Sequence, residues 1–237
     1  MQVSIPIYHL KRQAKMRARA DNIPLHRALD LIARQEGYQS WSHLAAMHAR
    51  QSPAQRVFSD FEPGDLIVLA ARPGQGKTLL GLELALEAHR RGRRSVFFTL
   101  DYTDEDVRAC FAALGVAEDA ADRAVEVDTS DEICADYISH RLSRSVGPWC
   151  AVVDYLQLLD QKRSHPPLDA QLLSLRQNAQ ATGGIVVLLS QVDRTFDGAG
   201  RETPDWQDLR LPNPVDLALV SKACFLHQGR LSLRLAA

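Results

Sequence analysis

The sequence predicts an α/β fold, a mainly parallel sheet covered on both faces, with a small all-α module ahead of it. Two observations carry this. From Phe61 onward, apolar strand-like runs alternate with helix-like stretches, the pattern of parallel strands joined by crossover helices. Between residues 8 and 50, apolar residues recur at helical spacing instead.

The elements follow in order. Three short helices are expected over residues 8–50. The first, from Tyr8 to Ala20, carries Leu10 and Ala14 against a basic surface. The second sets Leu25, Ala28, Leu29 and Ile32 on one face, with Pro24 suited to its first turn and Gly37 to its stop. The third follows Ser40 and groups Trp41, Leu44 and Ala45. Residues 1–52 are thus read as a three-helix module, 53–60 as a linker and 61–237 as the main domain. Within that domain strands are expected at Leu66–Ala70, Ser95–Leu100, Ala124–Val127, Cys150–Val153 and Ile185–Leu189. Helices are expected at Thr78–Arg90, Asp104–Leu114, Ile133–Ser143 and Leu168–Ala181. Leu217–Ala223 and Leu231–Leu235, flanking His227-Gln228-Gly229, predict a C-terminal β-hairpin.

Composition narrows the function classes. The 237 residues are 46% hydrophobic and 24% charged, enough for a full core. The formal net charge is -1, but it is unevenly spread. Residues 1–56 hold nine Lys/Arg against three Asp/Glu, a net of +6, and the remainder carries -7. Such asymmetry points to an appendage with its own partner, nucleic acid being one class. The four cysteines include no C-x-x-C pair, which argues for reduced thiols and against a zinc site or disulfide scaffold. The eight histidines lack metal-ligand spacing. With no membrane-length apolar run and no signal-peptide pattern, a cytoplasmic protein without a membrane partner is expected.

The chemistry concentrates in Ala71-Arg72-Pro73-Gly74-Gln75-Gly76-Lys77-Thr78, between an apolar strand and a helix-like stretch. Strand, glycine-containing loop and helix form the context of a phosphate-binding P-loop. Backbone N–H groups of the loop and helix start converge on one anion. Lys77 adds a cation for the β- and γ-phosphates, and Thr78 a hydroxyl for Mg²⁺. Ala71 stands where the common pattern has Gly. Cys150-Ala-Val-Val-Asp154 is an apolar strand ending in a carboxylate, the Walker B position beside such a loop, where Asp154 would hold the metal's water shell. The run Val96–Leu100 ends in Asp101, placed to act as general base. Val186-Val-Leu-Leu-Ser-Gln191 ends in an amide that can touch a γ-phosphate or the attacking water.

Together, the P-loop, Asp154-Tyr-Leu-Gln-Leu and Leu189-Ser-Gln-Val-Asp-Arg194, followed by Asp208-Leu209-Arg210, resemble the RecA-like ATPase domain of DnaB-type replicative helicases over about residues 61–235. The resemblance implies a RecA-like P-loop NTPase with ATP and Mg²⁺ as cofactors, single-stranded DNA as partner, and a ring or filament of identical subunits. It makes Lys77 and Thr78 phosphate and metal residues, Asp154 the Walker B acid and Gln191 the sensor. The family's catalytic Glu is Asp101 here. The family's trans-acting Lys-x-Arg aligns with Lys222-Ala-Cys224, leaving Lys222 and, as substitutes for the missing Arg, Arg230, Arg194 or Arg234. The channel-facing loops place Lys162, Arg163, Arg194 and Arg201 as DNA contacts. The expected function is an ATP-hydrolysing, DnaB-helicase-like protein acting on DNA. The alternative is an ATP-gated regulatory or adaptor protein with little or no turnover, favoured by the shorter Asp101 and by Cys224.

Overall fold

The computed structural model describes residues 7–49, 52–143, 145, 147–156, 159, 165–198, 200–210 and 215–236. The chain divides into two units, Met1–Asp60 and Phe61–Ala237.

In the first unit, α1 (Ile7–Ala20), α2 (Leu25–Gln35) and α3 (Trp41–Ala49) enclose a small core of Leu10, Ala14, Ala28, Ile32, Ala33 and Leu44. Pro24 precedes α2 with φ -58, the geometry its ring favours. Asp30 accepts the Trp41 N–H (2.8 Å) and Ser40 Oγ the His43 N–H (3.2 Å). These satisfy donors that a helix start leaves without intrahelical partners. Within the stretch read as a linker, Pro53–Phe58 forms a short helix, α4. Its capping box joins Ser52 and Gln55.

The second unit is built on an eight-stranded sheet. Its strands are β1 (Leu66–Ala71), β2 (Arg94–Thr99), β3 (Glu126–Asp128), β4 (Trp149–Asp154), β5 (Ile185–Val192), β6 (Leu209–Arg210), β7 (Lys222–His227) and β8 (Arg230–Leu235). They run in the order β3-β2-β4-β5-β1-β7-β8, with β6 paired to β5. Pairings from β3 to β7 along this path are parallel; β6 and β8 pair antiparallel. The central strands β1, β4 and β5 are apolar and almost wholly buried, as a sheet covered on both faces requires. Helices α5 (Lys77–Arg90), α6 (Asp104–Ala113), α7 (Glu118–Ala124), α8 (Ala135–Ser143) and α9 (Leu168–Thr182) complete the unit. Gly81 of α5 lies so close to the sheet that a Cβ would meet Leu189 at 2.8 Å. The missing side chain lets the loop-bearing helix sit tightly over β5.

Three expectations need correcting in detail. Ala124 ends α7 rather than starting a strand, because the alanine-rich run Glu118–Ala124 is helical. β5 runs to Val192, not Leu189, because Gln191 pairs with both Ala71 and Arg210. The hairpin's first arm begins at Lys222. Leu217–Leu219 forms a 3-10 turn instead, capped by Asp216, whose carboxylate accepts the Ala218 N–H at 2.9 Å.

Candidate functional site

The C-terminal ends of the parallel strands bring the chemistry together. Ala71 ends β1 and sits in register with Gln191 of β5. Asp154 ends β4, in register with Thr99 and Leu189. Asp101 follows β2 by two residues, its N–H bonded to Thr99 Oγ1 (3.2 Å). A parallel sheet thus gathers residues far apart in the chain at one edge, where ligands of such sheets bind.

Between β1 and α5, the loop turns on Gly74 (φ 77) and Gly76 (φ 85), left-handed conformations open to glycine. No atom lies within 4 Å of a Cβ built at either position, so conformation rather than space demands glycine. Gly76 is the N-cap of α5 and provides no side-chain cap. The helix start therefore presents backbone N–H groups and the positive end of its dipole to the cleft.

Lys77 Nζ donates to Asp154 Oδ1 at 2.5 Å, and Thr78 Oγ1 to Asp154 Oδ2 at 2.7 Å. Asp154 is 1% exposed, so one buried carboxylate holds both polar side chains of the P-loop. A cleft of about 580 Å³ opens beside this cluster, bounded by the loop, Asp101, Tyr102, Cys110, Tyr155 and Gln191. Asp101 is exposed at its mouth. Its carboxyl is raised above the ordinary value, first by partial desolvation and then by the Asp154 charge, with Lys77 opposing. The Cys110 thiol is also pushed up, by burial and then by Asp106.

These residues suit a magnesium nucleotide. The uncapped helix start and Lys77 fit a phosphate tail; Thr78 and Asp154 fit a magnesium ion that takes its remaining ligands from phosphate and water. Among the described residues no group of three His, Cys, Asp or Glu could hold a metal by itself. No helix among them is long and apolar enough to cross a membrane.

The remaining expected residues are placed as follows. Arg72 makes a bidentate pair with Asp197 (2.8 and 3.0 Å) and donates to the Val192 carbonyl. Gln75 turns to the hairpin, accepting the Gln228 N–H at 2.8 Å. Gln191 Oε1 accepts from Arg210 at 3.1 Å. Arg194 is exposed at the start of the 3-10 helix Arg194–Gly198. Arg201 is held by buried Asp208 (2.6 Å) and lies over the Phe196 ring. Arg230 is exposed and 3.6 Å from Glu202. Lys162 and Arg163 lie outside the described residues. The trans-acting reading of Lys222 and of the Cys224 position meets a physical objection. Lys222 is 6% exposed and paired with Asp65 at the end of β1 opposite the P-loop, and Cys224 is fully buried. Both side chains are buried within this chain.

Sequence reasoning missed the α6 wall of the cleft (Ala109, Cys110, Ala113) and the Arg72–Asp197 pair. Nothing local marks either; both arise from packing. Arg210 had a signal, its place in Asp208-Leu-Arg210, but no role.

Over residues 52–132 the chain matches the family model of the DnaB-like helicase C terminal domain. Its fold is similar to that of a solved ATPase domain, with a TM-score of 0.57, 16% identity, and coverage of 79% of this chain and 81% of that one. It is about as similar to a DnaB-like replicative helicase solved with attention to its interactions with primase (TM-score 0.58, 17% identity, 92% of this chain and 65% of that one). The second unit has the RecA-like fold of these ATPase domains, and its first part matches the DnaB-type family model. A KaiC-like protein from Pyrococcus horikoshii OT3 shares this RecA-like fold more distantly (TM-score 0.50, 16% identity, 68% of this chain and 70% of that one). In sequence, the chain is 31% identical over 146 residues to the DNA repair protein RadA of Brucella abortus (strain 2308). That match covers 59% of this chain and only 31% of the relative's length. The DnaB-type match includes the P-loop and Asp101; Asp154 and Gln191 lie beyond the residues matched by the family model.

Proposed function

We propose that the DnaB-type domain binds Mg-ATP in the cleft at the C-terminal sheet edge and hydrolyses it while the protein acts on DNA. The observation that carries this reading is the cluster at Asp154, where Lys77 and Thr78 converge at 2.5 and 2.7 Å beside an uncapped helix start. Backbone N–H groups from Gly74 to Thr78 bind the phosphates. The Lys77 ammonium turns from Asp154 to the β- and γ-phosphates. Thr78 and Asp154 would hold Mg²⁺, which would supply charge neutralisation for phosphoryl transfer. Asp101 accepts the proton of the attacking water, a role its raised pKa favours. Because a guanidinium only donates, Arg210 occupies the Gln191 carbonyl and leaves the amide NH₂ to donate towards the γ-phosphate.

The DNA part of the proposal is supported by the names of the relatives, a replicative helicase and a DNA repair protein. Exposed Arg194 serves as a DNA contact, and exposed Arg230 as a group that reaches a neighbour's nucleotide in a ring or filament. Lys222, paired with Asp65, is assigned no role in this reading.

The second reading, an ATP-gated switch with little turnover, is favoured by one specific observation. The cations lining the cleft among the described residues are Lys77 and Arg72, and Arg72 is committed to Asp197. One chain then supplies a single mobile cation to the transition state. Calorimetry with Mg-ATP, followed by turnover with and without single-stranded DNA, separates the readings. DNA-stimulated turnover that is lost in Lys77→Ala supports the ATPase. Tight binding without turnover supports the switch. Absence of Mg-dependent binding refutes both.

A further inference from the structure

We propose that the outward face of α1 is a docking surface for the phosphodiester backbone of a nucleic acid. It belongs to the other unit of the chain than the cleft beside the P-loop, and it is independent of whether ATP is hydrolysed.

Helix α1 holds Lys11, Arg12, Lys15, Arg17 and Arg19 and no acidic residue in 14 positions. Its inner side is defined by Leu10 and Ala14, which pack against Ala28, Ile32 and Leu44. At 100° per residue, Lys11, Arg12, Lys15 and Arg19 fall within about a 100° arc centred roughly 130° from the Leu10/Ala14 side. All four are exposed. Among the described residues none of the four has a carboxylate partner or a side-chain hydrogen bond. Arg17, nearer the core side, is the one that pairs, with Asp21 at 3.1 Å.

A helix face meant only for water mixes its charges, because like charges four apart repel. Here Lys11, Lys15 and Arg19 repeat at four-residue intervals with no acid between them. In the second unit most described arginines are paired: Arg72, Arg91, Arg94, Arg123, Arg141 and Arg201 each meet a carboxylate. The repulsion on α1 is relieved by a regular polyanion. Lys11 to Arg19 spans about 12 Å of helix axis, the axial length of roughly three to four nucleotides of one strand. A lipid surface fits less well. An interfacial helix must insert its apolar side, and that side of α1 is already buried in the three-helix core.

The test uses the full chain without nucleotide. Fluorescence anisotropy follows binding to a labelled oligothymidine and to a labelled duplex of equal length, from about 50 to 200 mM salt. In the variant Lys11→Gln/Arg12→Gln/Lys15→Gln/Arg19→Gln, the salt slope of log affinity for the bound probe should fall by about 3 to 4, near one for each phosphate no longer neutralised. Arg27→Gln/Arg34→Gln, exposed cations on α2, should leave it unchanged. Retained helical circular dichroism and retained Mg-ATP affinity show that the variant is folded; if it is not, Lys15→Gln/Arg19→Gln should lower the slope by about 2. No binding by the unaltered protein at the lowest salt overturns the proposal. So does an unchanged slope in a folded variant, or equal affinity for polyglutamate. Mg-ATP binding is read separately, so failure of the nucleotide reading and failure of this one give different results.

Discussion

Two buried lysine–aspartate pairs stand at opposite ends of the sheet, and they differ in what surrounds them rather than in their chemistry. Lys77–Asp154 lies at the C-terminal edge, with side chains 16% and 2% exposed; Lys222–Asp65 lies at the N-terminal end of β1, at 8% and 10%. Burial alone does not distinguish them. At the first pair Asp154 also accepts from Thr78, and the lysine opens onto a cleft faced by a helix start. In the proposed function, an anion arriving there would replace Asp154 as the partner of Lys77. At the second pair Asp65 also accepts the Glu62 N–H (2.7 Å), which ties the segment before β1 to the start of β7. The cleft beside the P-loop lies at the other end of β1 and is lined by neither residue of this pair. On the proposed reading, the same ion pair serves as a ligand site where a helix dipole and a cleft adjoin it, and as a clasp where they do not.

This contrast can be broken by substitution. Lys222→Met strands the Asp65 charge in the interior and should cost about 3–5 kcal/mol of stability, read by denaturant unfolding. Adding Asp65→Leu removes the stranded charge and should recover most of that loss. Nucleotide affinity, measured on the folded fraction, should stay within error. Lys77→Met also strands a buried carboxylate, Asp154, but in addition it should weaken nucleotide binding. Mg-ATP affinity should drop by about 1.5–3 kcal/mol, roughly ten- to a hundredfold, because a charge-assisted hydrogen bond to phosphate is removed. If Lys222→Met weakens nucleotide binding as much as Lys77→Met, the division into site and clasp is wrong.

A third pair calibrates the other two. Arg94–Glu126 joins β2 to β3 with 23% and 41% exposure. The Arg94 hydrogen bond, before its charge and that of Arg141, holds the Glu126 carboxyl below the ordinary value. Glu126→Gln should cost only about 0.2–1 kcal/mol at neutral pH, because water screens the pair. The sign is that of a depressed carboxylate. The contribution is complete above the unfolded value and is lost as pH falls through the folded one, so the difference between wild type and variant should shrink as pH drops below the ordinary glutamate value of about 4.3 and vanish only once it passes the lower folded value. A gap that persists at acid pH would show that Glu126 contributes through packing.

Much of this molecule is legible in order along the chain. The apolar runs at Leu66, Cys150 and Ile185 read as buried strands because each is bounded by turn or polar residues, and each is a strand. The helix over Leu25–Gln35 is legible from Leu25, Ala28, Leu29 and Ile32, which keep one face apolar. The Glu118–Ala124 helix is not. Its seven residues bury only Ala121, so almost no apolar period exists to read. The hairpin arm is misplaced by five residues because Leu217 and Leu219 mimic strand alternation while Asp216 caps a turn around them.

For the candidate site, residue types and local order were enough to nominate Lys77, Thr78, Asp101, Asp154 and Gln191. Glycine spacing, a cation beside a hydroxyl, and polar residues closing apolar strands are all short-range signals. Which of these groups meet is a matter of strand order, a long-range property. β4 and β5 insert between β2 and β1, and only that order sets Asp154 against the P-loop and Gln191 beside Ala71. Lys222 shows the same limit from the other side. Its sequence neighbourhood resembles a trans-acting motif, but the parallel register of β7 with β1 buries it against Asp65. The chain alone determined the kinds of groups and the local frames that carry them, because those depend on neighbours a few residues away. Tertiary structure decided which charges face a cleft and which face each other, because contacts between residues 77 and 154, or 65 and 222, exist only once the sheet has closed.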